Sequence, residues 1–479
     1  MLSRDDKQAE VIYQWQHSIH YGSDAQGMGT LNLPTGFGKT FIACKIINKV
    51  LAKQEGVALV LVPYNVLEEQ WKEETNRHCK EYLDRIKVMT VQYYLLHNLY
   101  MNVTLLIIDE LDEFYSEERV KVITKRKCEY KFGLGLTATY EEKRKRHELV
   151  EKYLPIVSKI TEKEAIENGW ISKFIEFNLG VPLNDIEREE YTSLTYKVAK
   201  EMGKFNDFLL ALKCLNGDRE LGKSAIQVAI EMANSRGWRN NLDLSKEGNR
   251  EIEEMWNPRL IIGYARLLVE STRSRADLLN LCESKFSTTL SIIQKYEGTK
   301  TITFSQSTIF ADKLHYLINQ QFTSQSDIFG NTIYEYATIY HSNLESKLVF
   351  DEKSNKSKKY GIDRQKKRAI ELIKSGKCRC IVTARALDKG FDVKDIRLGI
   401  VTSGSKNYNQ HQQRGGRLKR IEDIPYEKPV IIVNIYCLDT KEESDLRERQ
   451  KLSSEKPIWI SSIDEIVYEP LIRNKIKII

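Results

Sequence analysis

Two α/β blocks, each a parallel sheet covered by helices, with a helical middle between them: this is the fold class the sequence predicts, on three observations. Apolar runs alternate with helical stretches through the first part of the chain. The same alternation returns from Lys300 onward, and between Asp185 and Glu297 strand-like runs give way to apolar residues at helical spacing. At 479 residues the chain has room for two or three domains, each burying its own core. Hydrophobic residues at 41% and charged residues at 29% exclude wholesale disorder. No apolar run is long enough to cross a bilayer, and the charged opening MLSRDDKQAE is unlike a secretory leader, so an intracellular, cytoplasmic setting is expected, with the nucleus as the other open compartment.

In chain order, Leu31 and Leu33 predict a first strand, and FIACKIINKVL a helix behind it. VALVLVP (Val57 to Pro63), VTLLIID (Val103 to Asp109) and KFGLGLTAT (Lys131 to Thr139) complete the strands of the first block. The middle carries AIQVAIEMA and YARLLVES, and its Trp238 and Trp256 are expected to pack in a core. The second block reads KTITFS (Lys300 to Ser305), ATIYHS (Ala337 to Ser342), CRCIVTA (Cys378 to Ala384), IRLGIVTS (Ile396 to Ser403) and PVIIVNIYC (Pro429 to Cys437). The expected boundaries are a first block over 1–155, a crossover over 156–184, a helical insertion over 185–298 and a second block over 299–479. Eight cysteines are scattered without a C-x-x-C pair; Cys378 and Cys380 sit in an apolar run and read as buried thiols rather than zinc ligands. A net charge of +7 permits a polyanionic partner without requiring one.

Chemistry concentrates at three places. Pro34, Thr35, Gly36, Phe37, Gly38, Lys39 and Thr40 stand where a strand turns into a helix. There glycines let backbone N–H groups approach phosphate oxygens, the helix N-terminus adds positive charge, Lys39 reaches the terminal phosphates and Thr40 can hold Mg²⁺. The ligand expected is ATP or GTP, although the general GxxxxGK[ST] pattern asks for glycine where this chain has Leu33. The second place is IIDELDE, Ile107 to Glu113, at the end of an apolar strand. Asp109 is positioned to hold the metal and Glu110 to orient or deprotonate water; a solvated acidic helix start is the competing reading. The third is QQRGGRLKR, Gln412 to Arg420, where Gln413, Gly416, Arg417 and Arg420 would share a helix face. Arginines presented from another domain can stabilise the charge that develops in phosphoryl transfer.

Taken together and in order, LPTGFGKT, LVPYNVLEEQW, MTVQYY, DELD, LTATY, ITFSQSTIFADKL, IYHS, VTARALDKGFDV and QQRGGRLKR resemble motifs I to VI of superfamily 2 helicases. The resemblance is nearest to the branch of DNA translocases that includes the XPB-like, restriction-motor and phage branch-migration helicases. ITEKEAIENGWISKF (Ile160 to Phe174) is similar to the crossover after motif III in that branch, and the helical insertion matches no motif. The resemblance implies two tandem RecA-like domains and an ATP- and Mg²⁺-dependent motor that moves along nucleic acid. It implies that Gln8 contacts the base, that Thr137 and Thr139 couple nucleotide and nucleic-acid sites, and that Gly390 and Asp392 lie near ribose and γ-phosphate. Gln413, Arg417 and Arg420 match motif VI, while Pro63, Thr90, Gln92, Ser305, His341 and Thr383 fall in motifs that touch the polynucleotide backbone.

DNA is expected over RNA, because DELD differs from the DEAD form and the insertion is foreign to compact RNA helicases. A monomer is expected, with the insertion as a surface for a protein partner and no membrane partner. Competing readings are an RNA remodeller, a metal-dependent nuclease using Asp277, Glu283 and Lys285, and an ATP-gated clamp or motor subunit of a larger assembly. The basic run Lys353 to Arg368 reads as an arm on nucleic acid or as a solvated loop. Usage rich in Lys, Ile, Asn and Tyr fits an AT-rich genome such as that of a virus or phage, with DNA repair or recombination as the expected setting.

Overall fold

The structure, a computed structural model, describes residues 2–18, 26–97, 99, 101–138, 146–205, 207–218, 221–235, 257–322, 325–326, 332–351, 356–384, 393, 396–404, 429–451 and 456–468. The first sheet holds β1 (Met28–Asn32), β2 (Val57–Val62), β3 (Ile86–Thr90), β4 (Val103–Ile108), β5 (Tyr130–Thr137) and β6 (Ile156–Lys159). Their order is β3-β2-β4-β5-β1-β6, with every pairing parallel. Such strands are covered on both faces, which is why β2 reads as an unbroken apolar run and β4 as one interrupted only by the buried Thr104. Side-chain alternation divides them: Ala58, Val60, Leu105 and Ile107 enter one core with Ile42, Ile46 and Trp71, whereas Leu59, Leu61, Leu106 and Ile108 enter a second with Tyr94, Phe114 and Val120.

The helix Arg4–Gln16 begins at a capping box between Ser3 and Asp6, and its Gln8, Val11, Ile12 and Trp15 recur at helical spacing on the buried side. Trp15 finishes its burial by donating its indole N–H to the Gly133 carbonyl, 3.1 Å away on β5.

The second sheet runs β11-β14-β8-β15-β16-β7-β17. Its strands are β7 (Phe174–Val181), β8 (Thr301–Ser305), β11 (Ala337–His341), β14 (Cys380–Ala384), β15 (Leu398–Val401), β16 (Val430–Cys437) and β17 (Ile458–Ile460). Two antiparallel pairs stand outside it, β9 (Gln325–Ser326) with β10 (Thr332–Tyr334) and β12 (Lys347–Asp351) with β13 (Lys356–Tyr360). Two alternating α/β sheets are therefore present as expected. β6 joins the first sheet, and β7 joins the second although it precedes the helical middle. Where the sequence read a basic arm or loop, residues 356–360 form a strand and Ile362–Lys374 a helix. The reason is a buried face hidden among the cations, carried by Ala369 and Ile373.

The helical unit comprises residues 181–288 and 437–442. Helices Asp185–Phe205, Phe208–Asn216, Ala225–Ser235 and Pro258–Asn280 enclose Val198, Phe205, Ala211, Val228, Met232, Ile261, Ala265 and Leu268. Asn257 caps the long helix and Pro258 occupies its first turn, where a missing N–H costs nothing. Trp238 and Trp256 lie outside the described residues. All eight cysteines are buried free thiols, Cys378 and Cys380 among them. Among the described residues no helix is long and apolar enough to cross a membrane.

Candidate active site

The phosphate-loop segment leaves the carboxyl end of β1. The Leu33 N–H bonds the Thr137 carbonyl at 3.0 Å and its side chain is fully buried, so this position continues the strand and fills the core instead of turning. The turn comes later, at Gly36 (φ +91°) and Gly38 (φ +102°), and the helix Lys39–Leu51 starts immediately behind it. Two side chains of the N-terminal helix hold the loop by its carbonyls. Arg4 Nη2 donates to the Gly36 oxygen at 2.8 Å, and Gln8 Nε2 to the Phe37 oxygen at 2.8 Å. With the carbonyls held on that side, the loop keeps an ordered shape and the first N–H groups of the helix remain without intrahelical partners, which is the arrangement that receives an anion. Gln8, expected at the base, has its amide N–H on this loop. Lys39 Nζ stands 3.5 Å from the Leu33 carbonyl, and Thr40 is partly exposed.

Two strands away, with β5 between, β4 is followed at its carboxyl end by Asp109 and Glu110. Asp109 is 6% exposed. Its Oδ2 accepts the indole N–H of Trp71 at 2.7 Å and its Oδ1 the Glu110 N–H at 3.0 Å. Burial, and then the charge of Glu110, raise the Asp109 carboxyl to about 6, against the opposing pull of the Trp71 N–H and the Lys39 charge. A carboxylate held out of water beside a second one calls for a cation. Glu110 adopts a left-handed backbone, φ +50°, which is uncommon for a residue other than glycine. Asp112, also buried, lies 3.5 Å from the Thr137 hydroxyl, so the acidic segment after β4 meets the end of β5.

The remaining expected residues line the carboxyl edges of the two sheets, where open α/β sheets present ligands. Pro63 follows β2. Thr90 ends β3 and its hydroxyl accepts the Tyr93 N–H at 3.2 Å, while Gln92 is exposed on the next helix. In the second sheet Ser305, Ala384 and His341 stand in one register row. Ser305 Oγ accepts the Ser307 N–H at 3.0 Å. The His341 ring, fully buried, accepts the Asn343 N–H through Nδ1 and meets Asp312 through Nε2 at 2.9 Å, an arrangement that places the ring proton on Nε2. Thr383 is 1% exposed, and its hydroxyl donates to the Thr303 carbonyl at 2.8 Å. Thr139, Gly390, Asp392, Gln413, Arg417 and Arg420 lie outside the described residues.

Of the nuclease alternative, Lys285 is fully buried with its ammonium 2.8 Å from both carboxylate oxygens of Glu442, which closes it to a substrate. The sequence assigns Arg4 and Trp71 no role of their own, although Arg4 stands beside Gln8 in the same N-terminal stretch and Trp71 closes LVPYNVLEEQW. A tryptophan on a helix reads as core until folding shows what its N–H reaches.

Comparison with known proteins agrees with this geometry. The family profile described as type III restriction enzyme, res subunit, matches residues 2–142, and that of the helicase conserved C-terminal domain matches residues 284–422. The chain is 25% identical to the DNA 3'-5' translocase XPB2 of Sulfurisphaera tokodaii, over 93% of this chain and 84% of that protein. In fold it is similar to the Hef helicase domain of Pyrococcus furiosus, with a TM-score of 0.50, 17% identity, and 93% and 99% of the two chains covered. It is likewise similar to S. cerevisiae Dbp5 bound to RNA and ADP BeF3, with a TM-score of 0.56, 12% identity, and 98% and 92% covered. The chain belongs to the superfamily 2 helicases, in their XPB-like branch, and is an ATP-dependent helicase.

Proposed function

We propose that this helicase is a DNA translocase that converts Mg-ATP hydrolysis into 3'-to-5' movement along a strand and so remodels duplex or branched DNA. The observation that carries the reading is the meeting, at one sheet edge, of a phosphate loop and the carboxylates of Asp109, buried, and Glu110, half-buried, in a chain similar over 93% of its length to a protein named for DNA translocation. The residues fit the nucleotide and its cation. The loop N–H groups and Lys39 would bind phosphates, and Thr40 and Asp109 would hold Mg²⁺, which asks for few protein oxygens besides the phosphates. When bound, Mg²⁺ neutralises charge on the β- and γ-phosphates. Glu110 would orient or deprotonate the attacking water. The roles of Gln413, Arg417 and Arg420 as charge-stabilising groups from the second block, and of Gly390 and Asp392 beside the nucleotide, rest on the motifs.

On the polymer side, Pro63, Thr90, Gln92, Ser305, His341 and Thr383 mark the proposed track, with the buried His341 and Thr383 holding the strand ends beneath it. Hydroxyls and backbone groups at sheet edges position phosphates without reading sequence, which suits a motor that steps over any bases. The test is the ATPase rate of the full chain with single-stranded, duplex, forked and four-way DNA and with RNA, all at one salt concentration. DNA is expected to stimulate and RNA not; stimulation by RNA alone would reverse the substrate class. Lys39→Ala should abolish the stimulated activity, and an intact rate would remove the assignment of the loop. Strand displacement and solution mass separate a free-standing monomer from a motor subunit docked through the helical unit.

A further inference from the structure

We infer that Trp71 is a positioning residue for the cation site: its indole N–H fixes the Asp109 carboxylate in the orientation that receives Mg²⁺. The inference rests on the proposed role of Asp109 and extends it to a residue on a different element. Trp71 belongs to the helix Asn65–His78 behind β2, whereas Asp109 follows β4, 38 positions later in the chain. Both side chains are buried, at 1% and 6% exposure. The indole is donor-only and has one N–H, which stands 2.7 Å from Oδ2. The other oxygen, Oδ1, takes the Glu110 N–H at 3.0 Å. One donor on each oxygen prevents the carboxylate from turning about its bond to Cβ and leaves a lone pair on each oxygen open. A buried tryptophan that only filled space would not need its N–H aimed at a charged oxygen. Groups that hold a metal ligand in this way commonly set metal affinity by roughly 10- to 100-fold.

The experiment measures binding of a fluorescent ADP to the full chain as Mg²⁺ is varied, and again in EDTA. Trp71→Phe keeps an aromatic ring and removes the donor. The expected result is a roughly 10- to 100-fold rise in the Mg²⁺ concentration needed for half-maximal tightening, with ADP affinity in EDTA unchanged. If Trp71→Phe fails to fold, benzothienylalanine at position 71, which replaces the N–H by sulfur at nearly constant shape, is read in the same way. An unchanged Mg²⁺ requirement in the folded variant overturns the inference, as does an equal loss of ADP affinity with and without Mg²⁺, which marks a packing role alone. Asp109→Asn separates the two layers: if it keeps the wild-type Mg²⁺ response, the cation assignment falls and the role of Trp71 with it. Loss of that response in Asp109→Asn beside a normal Trp71→Phe overturns only the role of Trp71.

Discussion

Replacing Gly38 by alanine tests how the loop is held. A Cβ added at Gly38 would lie 2.7 Å from Gln8 Nε2, at a backbone φ of +102°. The left-handed backbone alone costs a side chain about 1–2 kcal/mol. Relieving the overlap moves the Gln8 amide off the Phe37 carbonyl, a further loss of about 1 kcal/mol. If the total of about 2–3 kcal/mol is drawn from the shape that binds phosphate, ADP affinity falls roughly 30- to 150-fold. Equilibrium titration of a fluorescent ADP reads this directly, with thermal melting as a check that the domain remains folded. The geometry also predicts coupling. With Gln8→Ala in place the overlap disappears, so Gly38→Ala should cost about 1 kcal/mol less, or roughly fivefold in affinity, than in the wild-type background. Strict additivity of the two changes, or wild-type affinity in Gly38→Ala, would refute the clasp of Gln8 on the loop.

Four further outcomes are expected. Because the folded Asp109 carboxyl is raised from its ordinary 3.8 to about 6, it keeps a proton that the unfolded chain has released; its contribution to stability is present below about pH 4 and is lost as pH rises through 6. Mg²⁺-dependent ADP binding runs the other way, strengthening as that proton leaves, and a flat affinity profile between about pH 5 and 7 would contradict it. Arg417→Ala should bind ATP normally and hydrolyse it roughly a thousandfold more slowly in single-turnover assays; normal turnover would exclude the finger role. Lys285→Met leaves Glu442 short of its buried cation and should destabilise the helical unit by about 3–5 kcal/mol in urea unfolding, whereas adding Glu442→Leu should recover most of it.

What could be read from the chain beforehand was what is local. β2, β4 and β16 are largely apolar runs and β8 alternates β-branched and aromatic residues with hydroxyls, each with one interpretation, and the phosphate loop and acidic segment are contiguous. β3 gives no strand signal because Lys87 interrupts it at a sheet edge, although its last residue, Thr90, falls in a motif expected to touch the polynucleotide. The helix Ile362–Lys374 hides Ala369 and Ile373 among charges, so its composition resembles a solvated run. Sheet membership of β7 has no local signal at all, since nothing in FIEFNLGV says which of two sheets it will join. Pairings such as Trp71 with Asp109 or Gln8 with Phe37 exist only once distant segments have met.

That placement of β7 bears on how the protein is made. The first sheet draws all its strands from residues 28–159 and can close while the remainder is still being synthesised. β7 leaves the ribosome next, yet its neighbours in the sheet are β16 and β17, and its Asn178 pairs with Gln450, 272 residues further on. Through translation of the whole helical unit and most of the second block, this strand waits with unpaired edges. Nascent chains in that interval carry a strand edge open to mispairing. Slowed synthesis or truncation before β16 is thus the condition under which this helicase should aggregate, whatever the stability of the finished fold.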